Sequence, residues 1–304
     1  MIQIQQIDVK NFKSGYVALI GKPNVGKSTL MNALLGQQLS IVTAKPQTTR
    51  QQVLGILSGD NFQMIFLDTP GLLVPRYKLQ DKMLKTAQRA IGEADIILFL
   101  VEPEDKIDEF QDQIMREIII NAGKKTLLVI NKIDSIVRDT ILPIIARYDN
   151  NYRLTEIFPI SALFGDGVED VKQSLIKHLP TGMPFYPPDQ ITDQPERFFV
   201  SELIRQKIFE NYGEEIPYST AVTIEDFKER EGAKDFIRAN IILERNSQKG
   251  ILIGKKGAAL KKIGKLSREE IERFLGRPVF LELFVKVRHK WRQNESFLRE
   301  FGYN

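Results

Sequence analysis

Eight consecutive residues, Gly21-Lys22-Pro23-Asn24-Val25-Gly26-Lys27-Ser28, read G-x-x-x-x-G-K-S. This spacing suits phosphate chemistry. Gly21 and Gly26 let the backbone turn so that successive N–H groups converge on one anion. Lys27 brings a mobile positive charge to the outer phosphates, and the Ser28 hydroxyl is a ligand for Mg²⁺. A helical pattern opens at Thr29 and stops at Gly36, so the positive end of a helix dipole faces the same anion. A second group, Asp68-Thr69-Pro70-Gly71, adds a carboxylate that can hold Mg²⁺ through water. Gly71 can turn its N–H toward a terminal phosphate, which places it with Lys27 among the catalytic candidates. Alone, D-T-P-G is an ordinary turn; its position downstream of a phosphate loop favours the functional reading.

These residues need a scaffold that brings loops together. Near-continuous apolar runs at 16–20, 52–57, 62–67, 95–101, 126–130 and 156–160 read as strands buried on both faces. Helical patterns at 28–35, 79–93, 109–121 and 168–178 fill the gaps. Alternation of this kind predicts an α/β domain with a mostly parallel sheet and helices on both faces. Ligands in such sheets bind beyond the carboxyl ends of the strands, where the motifs fall.

Asn131-Lys132-Ile133-Asp134 follows the fifth predicted strand, and Ser161-Ala162-Leu163 follows the sixth. With these boxes the chain resembles the translation-factor-related GTPases, whose base-recognition box is N-K-x-D. The resemblance implies that Asp134 accepts hydrogen bonds from guanine N1–H and the exocyclic amine, a pair adenine lacks. It implies that the Lys132 stem lies over the base, that Asn131 ties the box to the phosphate loop, and that the 161–163 backbone meets the guanine carbonyl. In Pro46-Gln47-Thr48-Thr49-Arg50 it implies a first switch, with Thr49 completing the Mg²⁺ shell and Thr48 as the alternative. It also implies GTP and GDP as ligands and, from Asn24 in the loop, K⁺ against the phosphates. One departure stands out. Leu72 occupies the position where small signalling GTPases place a glutamine to orient the attacking water, so slow intrinsic hydrolysis is expected.

Four prolines between Leu179 and Pro188 predict a stiff linker at 180–195, separating a GTPase domain at 16–179 from a second domain at 196–304. Residues 1–15 form an N-terminal leader, open between an extra strand, a tail and residues foreign to the domain. The second domain reads helix (196–212), strand (220–229), strand (235–244), helix, helix, strand (279–287). Between its two later helices stands Ile253-Gly254-Lys255-Lys256-Gly257, and Lys261 follows one turn on. Two glycines permit close backbone approach, the lysines meet phosphates, and a neighbouring apolar groove holds unstacked bases. This order resembles the type II KH domain, an α+β fold. Between 245 and 292 there are fourteen basic and four acidic residues, whereas the whole chain carries only +4. Such local charge around a G-x-x-G loop favours a polyanion. Phe280, Phe284 and Trp291 read as core or packing residues.

A P-loop GTPase followed by such a KH domain resembles the Era family over nearly all of 16–304. The resemblance implies binding to the 3′ end of small-subunit, 16S-type ribosomal RNA and a role in 30S subunit assembly and rRNA maturation. It further implies a monomer in the bacterial cytoplasm, with peripheral association at the inner face of the cell membrane as an additional expectation. A membrane-surface GTPase reading anionic lipid is the rival; the G-x-x-G loop argues against it, because headgroups need charge but no base groove. Composition agrees with a folded chain of about two domains: 304 residues, 42% hydrophobic and 27% charged. The absence of cysteine excludes disulfides, thiolate metal sites and a cysteine nucleophile.

Overall fold

The computed structural model describes residues 11–103, 116–117, 122–151 and 154–303. The helix expected at 109–121 lies, apart from 116 and 117, outside the described residues. The chain divides into two compact units. The first holds the chain up to Ser40, Thr49–Val74 and Met83–Asp193; the second holds Ile41–Thr48, Pro75–Lys82 and Gln194–Asn304.

The first unit is built on a six-stranded sheet ordered β2-β3-β1-β4-β5-β6. Its strands are β1 (Lys13–Gly21), β2 (Val53–Ser58), β3 (Phe62–Asp68), β4 (Ile96–Val101), β5 (Lys125–Ile130) and β6 (Glu156–Pro159). Only β2 runs antiparallel to its neighbour. All six residues of β4 are buried, as a central strand covered on both faces requires. The helices are α1 (Lys27–Leu35), α2 (Lys78–Glu93, whose residues up to Lys82 belong to the second unit), α3 (Ile141–Asn151) and α4 (Val168–His178). Leu79, Met83, Ala87, Ala90 and Ile91 repeat at helical spacing along α2 and are all buried. Register brings the strand ends level: Leu19 stands beside Asp68, Gly21 beside Leu100, Val101 beside Ile130, and Ile130 beside Pro159.

Two boundaries differ from expectation. Strand β1 begins at Lys13, inside the stretch read as leader; Phe12 is buried and Lys13 Nζ donates to the carbonyls of Ile176 and Lys177 at 2.9 Å each. The segment read as a stiff linker at 180–195 is strapped to the first unit as far as Asp193. Gly182 N–H donates to the Phe12 carbonyl, and Ser14 N–H to that of Pro180, at 3.0 Å each. The buried Gln63 amide accepts from Phe185 N–H (2.7 Å) and Tyr186 N–H (3.0 Å) and donates to the Tyr186 carbonyl (2.9 Å). Ile56 on edge strand β2 donates to the Ile191 carbonyl at 2.8 Å. Proline holds the strap extended, and extended backbone is what can satisfy the open groups of an edge strand.

The second unit has helix α5 (Glu196–Asn211), the short α6 (Ile216–Ser219), β7 (Ala221–Lys228), β8 (Asp235–Leu243), α7 (Asn246–Ile253), α8 (Ala258–Leu275), β9 (Val279–Val287) and α9 (Glu295–Glu300). Sequence reading passed over α6 and α9. The sheet order is β7-β8-β9, antiparallel then parallel. Ile237, Ala239, Ile241 and Leu243 alternate onto the helix-covered face and pack with Val200, Ile204 and Ile208 of α5. Ile41 joins this core. Lys45 Nζ caps the carbonyls of Phe209 and Tyr212, and the buried Arg205 guanidinium donates to the Thr48 carbonyl. No helix among the described residues is long and apolar enough to cross a membrane.

Candidate nucleotide site and nucleic-acid groove

The turn from β1 into α1 carries residues 21–28. Asn24 and Gly26 sit at φ 68° and 100°. A side chain at Gly26 would be strained there, and its Cβ would stand 2.1 Å from Asn131 Nδ2. Lys27 is buried, with Nζ 2.9 Å from the Lys22 carbonyl and 3.3 Å from that of Gly21. Burial pulls its pKa down to about 8, and the Asp68 charge partly opposes the shift. Thr29 lies in the first turn of α1.

Three oxygen groups converge beside Lys27. Ser28 Oγ donates to Asp68 Oδ2 at 2.6 Å and lies 3.0 Å from Thr49 Oγ1; Thr49 Oγ1 is 3.5 Å from Asp68 Oδ2. Asp68 is fully buried, and its Oδ1 has no hydrogen-bond partner. Burial raises its pKa, while the Ser28 hydroxyl and the Lys27 charge pull the other way. Hard oxygen donors with an unspent buried carboxylate oxygen fit Mg²⁺. The Thr48 hydroxyl instead meets Thr43 Oγ1 and the Lys45 carbonyl, both at 2.7 Å.

The loop after β3 presses on the phosphate turn. A Cβ on Gly71 would meet Pro23 N at 2.4 Å and Pro23 Cα at 2.5 Å, so only glycine allows this approach. Thr69 is buried and spends its hydroxyl on the Leu19 carbonyl, 2.7 Å away; Pro70 is buried beside it. Leu72 donates its N–H to the Gly21 carbonyl at 3.0 Å, and its side chain is buried in the core. Leucine at this position is therefore a packing residue as well as a missing polar group.

Asn131 spans two loops. Its Nδ2 donates to the Val25 carbonyl at 2.9 Å, and its Oδ1 accepts from Ala162 N–H at 2.9 Å. Lys132, at φ 66°, donates to the Asn24 carbonyl at 2.8 Å and pairs with Glu102. The Asp134 carboxylate accepts from Ser161 Oγ at 2.5 Å and is exposed on its other side. Ser161 and Ala162 are buried, with their N–H groups donating to the Asp166 carbonyl (3.0 Å) and to Asn131 Oδ1, whereas Leu163 is exposed. Glu102 as partner of Lys132 carried no sequence signal; it is one position past β4 and reaches the box only through strand order.

In the second unit, α7 ends at Ile253 and the Gly254–Gly257 turn leads into α8. Lys256 takes φ 53°, and Lys255, Lys256 and Lys261 are exposed. Beside the loop opens a groove of 570 Å³ lined by Gly257, Leu260, Lys261, Lys265, Arg268 and, from β9, Leu281 and Leu283. Two closely related findings follow from comparison with known proteins. A family model described as a 50S ribosome-binding GTPase matches residues 16–132, and a KH domain model matches 215–292. GTPase Era of Geotalea uraniireducens is 49% identical over 97% of this chain and 99% of its own. The chloroplastic GTPase ERA1 of Zea mays is 46% identical over 96% of this chain and 71% of its own.

The chain belongs to the Era family of GTPases.

Solved Era structures agree with this. A variant of Aquifex aeolicus Era bound to GDP·AlF₄⁻ superposes with a TM-score of 0.92 at 43% identity, covering 96% of this chain and 99% of that one. Era in complex with MgGDPNP and nucleotides 1506–1542 of 16S ribosomal RNA gives 0.93 at 43% identity, with the same coverage. Like its Era relatives, the chain is a GTP-hydrolysing enzyme with an α/β P-loop domain and a KH domain. Sequence reading named Lys261 but passed over the other groove residues. Leu260, Lys265 and Arg268 lie at helical spacing from Gly257, so the loop plus a helix stripe could have found them. Phe280 and Phe284, at 51% and 47% exposure, are not core residues; they pack on the outer face, Phe280 stacked 6.0 Å from Phe236 and Phe284 under Arg238 at 5.7 Å, while Trp291 is buried. Leu281 and Leu283 turn to the groove, so period-two alternation sends Phe280 and Phe284 to the other face.

Proposed function

We propose that this Era GTPase binds the 3′-terminal segment of 16S-type ribosomal RNA through residues 253–261 and the adjoining groove, and acts in 30S subunit assembly and rRNA maturation as a cytoplasmic monomer. The observation that carries the reading is the groove itself. It joins an apolar floor of Leu260, Leu281 and Leu283 to exposed lysines on the Gly254–Gly257 turn. Bases splayed from a single strand need the first, and the phosphates between them need the second. The Era relative in complex with nucleotides 1506–1542 of 16S ribosomal RNA supports the choice of RNA.

The geometry supports the following hydrolytic roles. The N–H groups of 21–28, Pro23 having none, and the Lys27 ammonium would hold the phosphates, and the Gly71 N–H would meet the terminal one. Ser28, Thr49 and Asp68 would hold Mg²⁺, which when bound would neutralise charge on the outer phosphate oxygens. Asp134 selects guanine, Ser161 fixes its carboxylate, and Asn131 locks the base box to the phosphate turn. Leu72 is committed to the core, so no side chain after Gly71 orients the attacking water and turnover is slow.

Nucleotide state and RNA binding are linked in this reading. Residues 41–48, directly before the Mg²⁺ candidate Thr49, are built into the second unit through Ile41, Lys45 and Arg205. GTP should therefore tighten RNA binding relative to GDP. The test is the affinity of a 3′-terminal 16S RNA oligonucleotide in the GTP-analogue and GDP states, for the parent and for Lys255→Asp with Lys256→Asp. Tighter binding with the analogue, and loss of binding in the double variant, are expected. Equal affinity in both states would end the linkage, and unchanged affinity in the double variant would end the RNA assignment.

A further inference from the structure

A second cavity lies in the same unit, at the other end of α7 from the Gly254–Gly257 turn. It measures 440 Å³ and is lined by Tyr77, Glu244, Arg245, His289, Lys290, Arg292 and Gln293. Two strand ends build it. Strand β8 stops at Leu243, and Glu244-Arg245 turn into α7, their N–H groups both donating to Gln248 Oε1 at 3.1 Å. Strand β9 stops at Val287, and Lys290, at φ 52°, reverses the chain into a short 3₁₀ turn, Trp291–Gln293. Trp291 anchors that turn, fully buried with its indole N–H donating to the Ser219 carbonyl at 2.8 Å.

Charge in the cavity is unbalanced. Three permanent cations, Arg245, Lys290 and Arg292, line it against one carboxylate. That carboxylate, Glu244, is already engaged by Arg292 Nη2 at 2.6 Å. Among the described residues neither Arg245 nor Lys290 has a carboxylate partner, and both are exposed. Arg292 lies 4.9 Å over the Tyr77 ring, and its buried Nε has no hydrogen-bond partner. Unspent guanidinium and ammonium donors around a nucleotide-sized hollow favour a phosphate.

We propose that this cavity is a second phosphate subsite for RNA, distinct from the Gly254–Gly257 loop and engaging the same strand a few nucleotides away. The proposal rests on the RNA-binding reading given above. Helix α7 sets the spacing: its eight residues place Gly254 about 14 Å from Arg245. A strand seated on the loop therefore needs only a short extension to reach the cavity. The subsite would add affinity that a short oligonucleotide cannot use, and each phosphate it neutralises would steepen the salt dependence.

The experiment compares a 4-nucleotide and a 12-nucleotide single-stranded RNA of one 3′-terminal 16S sequence, titrated against the full chain across a salt series. The variants are Arg245→Ala with Lys290→Ala, the loop pair Lys255→Asp with Lys256→Asp, and Lys286→Ala with Arg299→Ala, which removes equal charge elsewhere in the unit. Inorganic phosphate is titrated separately while the His289 ring signals are followed. The expected result is a loss of about tenfold for the 12-mer in the cavity variant, with the 4-mer within twofold of the parent and a salt slope shallower by about one. Unchanged 12-mer affinity overturns the subsite. An equal loss in the Lys286/Arg299 control overturns it too, because a general field would then suffice. Phosphate shifts at His289 without any RNA effect assign the cavity to a free anion and overturn the RNA assignment. If the parent binds neither RNA, or the loop pair costs nothing, the underlying RNA reading has failed, a pattern separate from failure of the cavity alone.

Discussion

Asn131→Ala should weaken the first unit and its nucleotide site together. The side chain is 2% exposed, and it satisfies two backbone groups that are themselves buried. Its Nδ2 meets the Val25 carbonyl at 2.9 Å, and its Oδ1 meets Ala162 N–H at 2.9 Å. Truncation leaves both without a partner. At about 1–3 kcal/mol for each stranded buried group, the loss is about 2–6 kcal/mol, a large share of an ordinary domain's stability. Denaturant-dependent hydrogen exchange of β1 and β5 amides would read this in the first unit alone, without nucleotide. GTP affinity should fall as well, since the same side chain joins the phosphate turn to the base box. Asn131→Asp refines the test. An ionised carboxylate keeps the Ala162 bond but cannot donate to Val25, whereas a protonated one can. Its pKa in the fold is therefore raised above the unfolded value, so its penalty relative to the parent should grow as pH rises past about 4 and shrink below it. A loss under about 1 kcal/mol in Asn131→Ala, with the Ala162 amide as protected as in the parent, would refute the reasoning: water would then be serving both groups.

Asp134→Asn should lose GTP binding and gain xanthosine nucleotides, whose altered edge restores donor–acceptor matching; competition binding reads this, and retained guanine preference would count against the role. K⁺ should accelerate hydrolysis relative to Na⁺, and Asn24→Ala should abolish the difference; equal rates in both salts for the parent would remove the cation from the mechanism. GTP affinity should decline as pH rises from 7 to 9, because the free protein loses the Lys27 proton near pH 8 while phosphate holds it on. Lys27→Met should bind weakly with a flatter profile over that range, and parallel profiles for the two proteins would show that another group titrates.

Much of the site was written locally. Residues 21–28 specify a phosphate turn because glycine spacing, lysine and serine act within one loop, and 68–71, 131–134 and 161–163 each fall just after an apolar run. The G-x-x-G turn is likewise a local conformation between two helices. These signals need only backbone propensity and side-chain type. What they did not contain is which loops touch. Asn131 reaches Val25 across 106 positions because strand order β1-β4-β5 sets their ends side by side. Composition read 180–195 as a stiff linker, since proline reports only stiffness; whether such an extended segment straps an edge depends on partners such as Gln63 far away in sequence. Phenylalanine gave no hint that 280 and 284 face outward while Trp291 is buried, because sheet register decides the face and only the packed neighbours decide which face is covered. Placement of 41–48 in the second unit is of the same kind: a polar loop by sequence, it is held there by a buried isoleucine, a lysine capping α5 and a guanidinium on one carbonyl. Sequence by itself determined the chemistry of each loop, because that chemistry is short-range; tertiary structure alone decided which loops act together, because long-range contacts depend on the whole chain having folded.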